Sequence, residues 1–426
     1  YNLVLLLSES CRADEAYAFF GKSLKIRPDQ ADVYNDLGNV LMDRLRLDEA
    51  EQAYRKAIAL WPGYVDAHFN LATLLMECRR MEEAWSLLQR CLHLQPDHAN
   101  ALNAMGNLLS QAGRLEEAEK AYRHSLKIRP DSANIHGNLG NLLMEFKRFP
   151  EAEAEFRQAV ALEPTYAYAL GQAASCARQL LAWSHAASDE ASIISSIERG
   201  VSGIPSRIVM SLPSASAQLQ LQAALLASQD KIRPFLDKPP IFSPASHPRS
   251  QRLRVGYLSA DFREHAVMHL LGGVFELHDR ARFEIHAYSM GPNARDRYRE
   301  SVEENVEVFR DIRMMSDGDA ASLIAGDGID ILVDLTGNTK DSRIGIAASR
   351  PAPIIVNWLG YPGTLGHARL ADYIIGDPVA TPANQAGFFS ETLAQMPNCC
   401  LPNDRKRPIG RVPTRDEEGL PAGALI

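Results

Sequence analysis

The chain lacks the features that would assign it to a secreted, membrane or nucleic-acid-binding class. Six cysteines are spread over 426 residues without a C-x-x-C pair, which disfavours both a disulfide framework and a zinc cage. The adjacent Cys399 and Cys400 are expected to serve packing, because sequence neighbours seldom form a disulfide. No apolar run of about 18 residues occurs, so we expect no membrane association. A formal net charge of −8 argues against a nucleic-acid partner.

What remains is the composition of a globular protein, with 46% hydrophobic and 23% charged residues. Its 426 residues allow two to four domains. The sequence opens at Tyr1, without a methionine and inside a helical pattern. The lack of a signal peptide is therefore uninformative, and we expect the chain to be a fragment at its N-terminus. We expect a cytoplasmic location.

Residues 1–166 form a strict repeat array. Prolines recur every 34 residues, at Pro28, Pro62, Pro96, Pro130 and Pro164. Small residues follow in register, at Gly38, Ala72, Gly106 and Gly140 and at Ala50, Ala84, Ala118 and Ala152. A large residue follows each pair, at Tyr54, Leu88, Tyr122 and Phe156. This is the tetratricopeptide pattern, in which small residues let paired helices approach and a proline ends the second helix.

An array of this kind forms a superhelix with a concave groove that binds extended polypeptides. Asparagines recur on the first helix of the repeats, at Asn39, Asn107 and Asn141 and, three residues earlier in their own repeats, at Asn70 and Asn138. A carboxamide both donates and accepts, so such a column could hold a peptide backbone. The alternative is that each asparagine bonds a neighbouring helix, and the sequence leaves both interpretations open.

The period fails after residue 166. Residues 167–250 are interpreted as a transitional region, with helices near 167–181, 188–200 and 215–228, and 237–250 as an extended, proline-rich linker.

From residue 251 to 418, strand and helix patterns alternate, which predicts a mostly parallel sheet of βαβ units. The predicted strands are 254–259, 283–288, 306–311, 329–335, 353–358 and 373–375. The predicted helices are 265–277, 294–304, 319–326 and 341–349. Residues 419–426 resemble the first strand of a second lobe.

Polar residues follow the first of these strands directly, where open α/β sheets place ligands. Asp261, His265 and His269 are four residues apart, so a helix starting near Asp261 would carry both imidazoles on one face. Asp261 is expected to cap that helix, with His265 in its first turn, neutral and able to accept a proton. The simpler alternative is a capping aspartate beside two structural histidines. A zinc site is disfavoured, because no HExxH pattern and no third ligand are present.

A glycine-rich loop, 358–366, follows the fifth predicted strand. Three glycines could let its backbone approach a phosphate or sugar. It contains neither GxGxxG nor GxxxxGK[ST], so neither a dinucleotide fingerprint nor a P-loop is indicated.

Taken together, the repeats and the segments RVGYLSADFREHAVMHL, DILVDLTGNTK, RPAPIIVNWLGYPGT and DYIIGD resemble the O-linked N-acetylglucosamine transferase family, in a bacterial-type form. The resemblance implies glycosyltransferase family 41. Its fold is a tetratricopeptide superhelix followed by the N-terminal Rossmann-like lobe of a GT-B enzyme. Such enzymes move GlcNAc from UDP-GlcNAc to Ser or Thr hydroxyls of polypeptides, with inversion and without a metal or other cofactor.

Carried over by the same resemblance, Asp261 and His265 are the expected catalytic residues. The expected sugar and acceptor contacts are His269, Lys340, Leu359, Gly360, Tyr361, Pro362, Gly363 and Thr364. The family's uridine pocket belongs to a second lobe, which we expect from the continuation of the chain. Two alternatives stay open: a related O-fucosyltransferase that uses GDP-fucose, and a non-catalytic repeat scaffold.

Overall fold

The computed structural model describes residue 20, residues 29–44, 46–244, 250–339 and 341–403, and residues 411, 414 and 417. The expected site residue Lys340, the partial first repeat and the predicted strand at 419–426 lie outside the described residues. Within the described part, a helical array is followed by a parallel sheet.

Among the described residues, the array consists of four helix pairs. They are α1 (Ala31–Asp43) with α2 (Leu47–Leu60), α3 (Val65–Glu77) with α4 (Met81–Leu94), α5 (Ala99–Gln111) with α6 (Leu115–Ile128), and α7 (Ala133–Glu145) with α8 (Phe149–Leu162). In α6 the buried residues Ala118, Tyr122 and Ser125 are spaced four and three apart, so they form one apolar face. The predicted tetratricopeptide array is confirmed.

The small and large residues of the repeat meet as predicted. A Cβ atom added at Gly38 or Gly106 would clash with the ring of Tyr54 or Tyr122, which fills the space between the two helices of that pair. Both rings are almost fully buried. The glycine position therefore sets how closely the paired helices approach.

The transitional region continues the stack before it reaches the sheet. Helix α9 (Ala167–Gln179) adds Ala169, Ala173 and Cys176 to the core of the repeats. It is followed by a 3-10 turn (Trp183–His185), α10 (Ala186–Glu198), α11 (Ser206–Val209) and α12 (Ala217–Leu236). Helix α12 extends beyond the predicted end at residue 228. Its Leu219 and Ala223 pack on the transitional helices and its Ile232 packs into the lobe core, so α12 joins the two regions.

The lobe is a seven-stranded, all-parallel sheet in the order β3-β2-β1-β4-β5-β6-β7. Its strands are β1 (Leu253–Ser259), β2 (Phe283–Ser289), β3 (Val308–Asp311), β4 (Ile331–Asp334), β5 (Ile354–Asn357), β6 (Tyr373–Gly376) and β7 (Thr392–Gln395). The order reverses between β1 and β4, which is where open sheets of this kind form a ligand crevice. The predicted Rossmann-like lobe is confirmed, and β7 is an additional strand that the sequence patterns did not predict.

Three of the four helices predicted between the strands are shorter than predicted, whereas the helix predicted at 319–326 begins two residues earlier, at Asp317. The observed helices are α13 (Ala266–Leu271), α14 (Val274–Leu277), α15 (Arg297–Glu304), α16 (Asp317–Gly326) and α17 (Ile344–Ala348), with a 3-10 helix (Ala383–Phe388) before β7. The predicted helix 265–277 is interrupted at Gly272 and Gly273, the poorest helix formers apart from proline. Val255 and Tyr257 pack on one face of the sheet and Leu258 on the other, so both faces are covered.

We predict that Gly106→Ala loosens the third repeat. The added methyl group has to displace the Tyr122 ring, and such overpacking costs about 1–3 kcal/mol. This exceeds the roughly 1 kcal/mol that alanine gains over glycine in a helix. Hydrogen exchange of the α5 and α6 amides should accelerate in the variant.

The matched control for this change is Gly326→Ala. Gly326 is the last residue of α16, and nothing lies within 4 Å of an added Cβ atom there. Exchange rates in the lobe should stay the same or fall in this variant. If Gly106→Ala left the exchange of α5 and α6 unchanged, the glycine position would not limit helix approach.

Candidate functional site

The loop after β1 carries the predicted catalytic pair on a rigid support. Asp261 is 8% exposed, and its backbone N–H donates to the Ser259 Oγ over 2.9 Å. The next residue, Phe262, is buried against Phe275 and Phe309. Because the ring between the two polar residues is locked in the core, the Asp261 carboxylate is held at the carboxyl edge of the sheet.

The Asp261 carboxylate contacts two basic side chains. The Arg263 Nη2 lies 3.3 Å from its Oδ1, and the His265 Nδ1 lies 3.5 Å from its Oδ2. The Arg263 guanidinium compensates the carboxylate charge, and the His265 side chain remains 38% exposed. The structure therefore brings the two predicted catalytic residues together.

The predicted helix cap is wrong in its details. Helix α13 begins at Ala266, and His265 itself is the N-cap, with Nδ1 accepting from the Val267 N–H over 3.3 Å. Asp261 lies four residues earlier in the same loop, so it does not cap α13, and His265 is not in the first turn of that helix. A capping Nδ1 must carry a lone pair, which places the proton of the neutral ring on Nε2. With Nδ1 engaged by the cap, Nε2–H is the hydrogen-bond donor that the ring can offer to a substrate.

The second histidine, His269, holds this loop in place. The His269 Nε2 lies 2.6 Å from the Glu264 Oε1, and its ring packs on Tyr298 of α15. Asp296 caps α15 and also accepts from the Glu264 backbone N–H over 2.6 Å. These contacts fix the loop to α15. A contact between His269 and substrate stays a prediction.

The loop after β4 lies beside the loop after β1. The Ala260 N–H donates to the Thr336 Oγ1 over 3.3 Å, which joins the two loops directly. The buried Asp334 accepts from the backbone N–H groups of Thr336 and Gly337 over 2.9 and 3.2 Å. Burial raises the pKa of the Asp334 carboxyl. The TGNT turn (336–339) and the Asp261 loop therefore share one edge of the sheet.

The glycine-rich loop is packed against protein on the sides where its glycines lie. A Cβ atom at Gly360 would collide with the Leu335 carbonyl at the end of β4, and one at Gly366, where φ is +86°, would collide with the Ala224 backbone of α12. Leu359 also has a positive φ of 73°. At these positions the close approach that the glycines allow is to protein backbone, and binding of a phosphate or sugar by this loop stays a prediction.

Two other residues of this loop are held by hydrogen bonds or burial. The Thr364 Oγ1 contacts the buried Glu391 carboxylate over 2.7 Å and accepts from the Ser390 N–H over 3.0 Å. Tyr361 is buried in the lobe core, which raises the pKa of its hydroxyl to about 12. Pro362 is exposed, and the next residue, Gly363, is buried. A substrate would meet Pro362 more readily than Tyr361 or Thr364.

The asparagine column is bonded within the array. The Oδ1 atoms of Asn39, Asn107 and Asn141 accept from the hydroxyls of Tyr54, Tyr122 and Tyr168 over 2.7, 2.7 and 2.8 Å. The Nδ2 atoms of Asn70 and Asn138 donate to Asn35 and Asn103, one repeat earlier, over 2.9 Å each. The alternative of bonds to neighbouring helices is therefore correct for one atom of each side chain. Asn39 stays exposed and the other four are half-buried, so peptide binding by the column stays a prediction.

A cavity of about 830 Å³ connects the column to the sheet edge. Its walls include Asn141 and Gln172 from the array, Lys231 from α12, and Asn338 and Thr339 from the loop after β4. Sequence reasoning missed Lys231 and Arg207, which also lines the cavity, because neither belongs to a motif. Among the described residues, no cluster of three or more His, Cys, Asp or Glu side chains could hold a metal ion. In the same described part of the chain, no helix has both the length and the apolarity to cross a membrane.

Comparisons with known proteins agree with this architecture. Tetratricopeptide repeat models match residues 30–61, 64–131 and 109–176, and the model described as glycosyl transferase family 41 matches residues 217–415. Fold and site together define a tetratricopeptide protein that carries a Rossmann-like lobe. Residues 217–415 are thus similar to glycosyl transferase family 41.

Similar proteins carry transferase names. The probable UDP-N-acetylglucosamine–peptide N-acetylglucosaminyltransferase SEC of Arabidopsis thaliana is 37% identical over 199 residues, 44% of this chain and 20% of that protein. The Caenorhabditis elegans UDP-N-acetylglucosamine–peptide N-acetylglucosaminyltransferase is 41% identical over 173 residues, 39% of this chain and 15% of that protein. The chain thus spans a fifth or less of the length of these relatives.

A solved structure is similar over most of the chain. It is a mutant O-GlcNAc transferase of Thermobaculum terrenum, with a TM-score of 0.53 and 26% sequence identity. The similarity covers 82% of this chain and 60% of that one. Repeats and lobe therefore follow each other in both proteins.

We predict that Thr364→Val destabilises the lobe while Thr364→Ser does so less. Valine removes the hydroxyl that contacts the Glu391 carboxylate and accepts from the Ser390 N–H. A buried group left without its partner costs about 1–3 kcal/mol. Serine keeps the oxygen. Hydrogen exchange of the β5 and β6 amides would report the difference, and equal exchange in both variants would leave Thr364 free for a substrate role.

Proposed function

We propose that this protein is a protein O-GlcNAc transferase. It moves N-acetylglucosamine from UDP-GlcNAc to Ser or Thr hydroxyls of polypeptides that lie in the repeat groove, with inversion and without a metal. The observation that carries the proposal is the Asp261–His265 pair at the switch point of a family 41 lobe, directly beside the loop that reaches the repeats. The similar proteins named as peptide N-acetylglucosaminyltransferases support the donor and the acceptor class.

In the proposed reaction, the acceptor oxygen bonds to the anomeric carbon while the bond from that carbon to the diphosphate oxygen breaks. Inversion requires the two oxygens to be in line across the carbon, so the acceptor has to be held in one orientation. The Nε2–H of His265 is the donor that the loop offers to orient it. His265 therefore acts by positioning, and its accepting nitrogen is occupied by the helix cap.

Asp261 is the group to which the acceptor proton goes, directly or through one water. Its carboxylate is an acceptor, stays close to His265, and is supported by Arg263. A general base must come within hydrogen-bond reach of the proton that it removes, and a substrate at the crevice would meet this carboxylate next to the imidazole.

The proposal assigns the nucleotide to a second lobe. The family resemblance supplies that expectation, and with it Lys340 as a basic contact near the sugar. We also propose a cytoplasmic location, in keeping with the five described cysteines, which are all free thiols. Burial raises the pKa of the Cys91 and Cys176 thiols to about 11 and about 12, so both are unreactive packing residues.

The test is sugar transfer by the intact protein to a Ser-rich peptide, with EDTA present. UDP-GlcNAc and GDP-fucose are offered separately. Transfer from UDP-GlcNAc that survives EDTA supports the assigned donor and metal independence. Transfer from GDP-fucose moves the protein to the sister activity, and no transfer from either donor while peptide still binds makes it a scaffold.

We predict that His265→Asn lowers the transfer rate about 100-fold, the loss that misplacement of the acceptor by about 1 Å can cause. Asparagine is a good N-cap, so this variant keeps the start of α13 while it removes the imidazole. His185→Ala, at an exposed histidine of the transitional region, is the control and should keep full activity. Unchanged transfer in His265→Asn would remove His265 from the mechanism.

A further inference from the structure

The 830 Å³ cavity lies at the junction of three parts of the chain. Asn141, Tyr168 and Gln172 bring the end of the asparagine column into its wall. Asn338 and Thr339 form the opposite wall, on the loop whose Thr336 is bonded to the Asp261 loop. A polypeptide that leaves the repeat groove for the crevice would pass through this cavity.

The cavity carries more positive than negative charge. Arg207 and Lys231 line it, and Glu145 is the one carboxylate among its described lining residues. The Arg207 Nη2 donates to the Gln172 Oε1 over 2.7 Å, which fixes the guanidinium at the wall while the residue stays exposed. An arginine positioned in this way is suited to a carboxylate ligand.

Lys231 has no carboxylate partner in the part of the chain that the structure describes. Its side chain is exposed and lines the cavity, and partial desolvation by the surrounding protein lowers the pKa of its ammonium group. A nearby anion would favour the charged form of this group. The buried Nδ2 of Asn338 also lacks a partner within the described chain, and it is a further donor on the same wall.

We propose that this cavity is an acceptor subsite that selects polypeptides with an acidic side chain close to the modified Ser or Thr, with Lys231 and Arg207 binding the carboxylate. The inference rests on the proposed function and deepens it by naming the acceptor class. The diphosphate of the sugar donor is another anion, but apart from Asn338 and Thr339 the lining residues come from the repeats and the transitional region, which favours the polypeptide.

The experiment measures peptide binding rather than transfer. Two fluorescent Ser-containing peptides, one with Glu flanking the serine and one with Gln at the same positions, are titrated against the protein at low salt and followed by anisotropy. The Glu peptide should bind about tenfold more tightly, as expected for one charge-assisted contact that the Gln peptide lacks. The preference should shrink as salt is raised.

Lys231→Met should bring the ratio of the two affinities close to one, and Lys231→Glu should reverse the preference toward a peptide with Lys at those positions. The control is Lys238→Met, at an exposed lysine beyond the end of α12 that packs over the Phe235 ring and does not line the cavity. It should keep the tenfold ratio. The thermal midpoints of all three variants are compared, so that lost binding is not confused with lost folding.

An unchanged Glu-to-Gln ratio in Lys231→Met overturns the proposal, and so does a wild-type protein without any preference. A third contrary result is that UDP alone displaces the Glu peptide and binds more weakly to Lys231→Met, which would assign the cavity to the diphosphate. Because binding needs no turnover, a Lys231-dependent preference in a protein that transfers no sugar would refute the transferase alone and leave the acidic-peptide site intact.

Discussion

The pairing of β1 with β4 is the constraint on which the site depends. Leu258 lies opposite Asp334 in a parallel register, and the Leu335 N–H donates to the Leu258 carbonyl over 3.0 Å. This register makes both strands end at the same level, so the Asp261 loop and the TGNT loop leave the sheet side by side. A two-residue shift of β4 would move Thr336 away from Ala260 by about 7 Å, at 3.3 Å per residue.

The site also depends on two close contacts between backbone segments, which connect the sheet to the repeats. Gly360 lies against the end of β4, and Gly366 lies against the α12 backbone at Ala224. Helix α12 packs on the transitional helices at one end and into the lobe core at the other. The glycine-rich loop is therefore a joint between lobe and array, so the groove and the crevice keep a fixed relation.

Sequence periodicity predicts the array and most of the sheet, because both depend on local patterns that recur. It does not predict where α13 begins. The four-residue spacing of Asp261 and His265 suggested one helix, but Phe262 is buried against Phe275 and Phe309, and Asp296 accepts from the Glu264 N–H. These long-range contacts hold the segment as a loop. Lys231 was missed for the same reason, since only the assembled cavity distinguishes it from a surface lysine.

The repeats show how one hydrogen bond orders the groove. In the first and third pairs, Tyr54 and Tyr122 donate to Asn39 and Asn107, which directs each Oδ1 into the array. In the second pair, Leu88 replaces the tyrosine and Thr73 replaces the asparagine, so no phenol hydroxyl can donate at this position. In the fourth, Phe156 cannot donate, and Tyr168 of the next helix bonds Asn141 instead. Since a tyrosine hydroxyl bonds Oδ1 in Asn39, Asn107 and Asn141, each of these side chains turns Nδ2 away from its tyrosine.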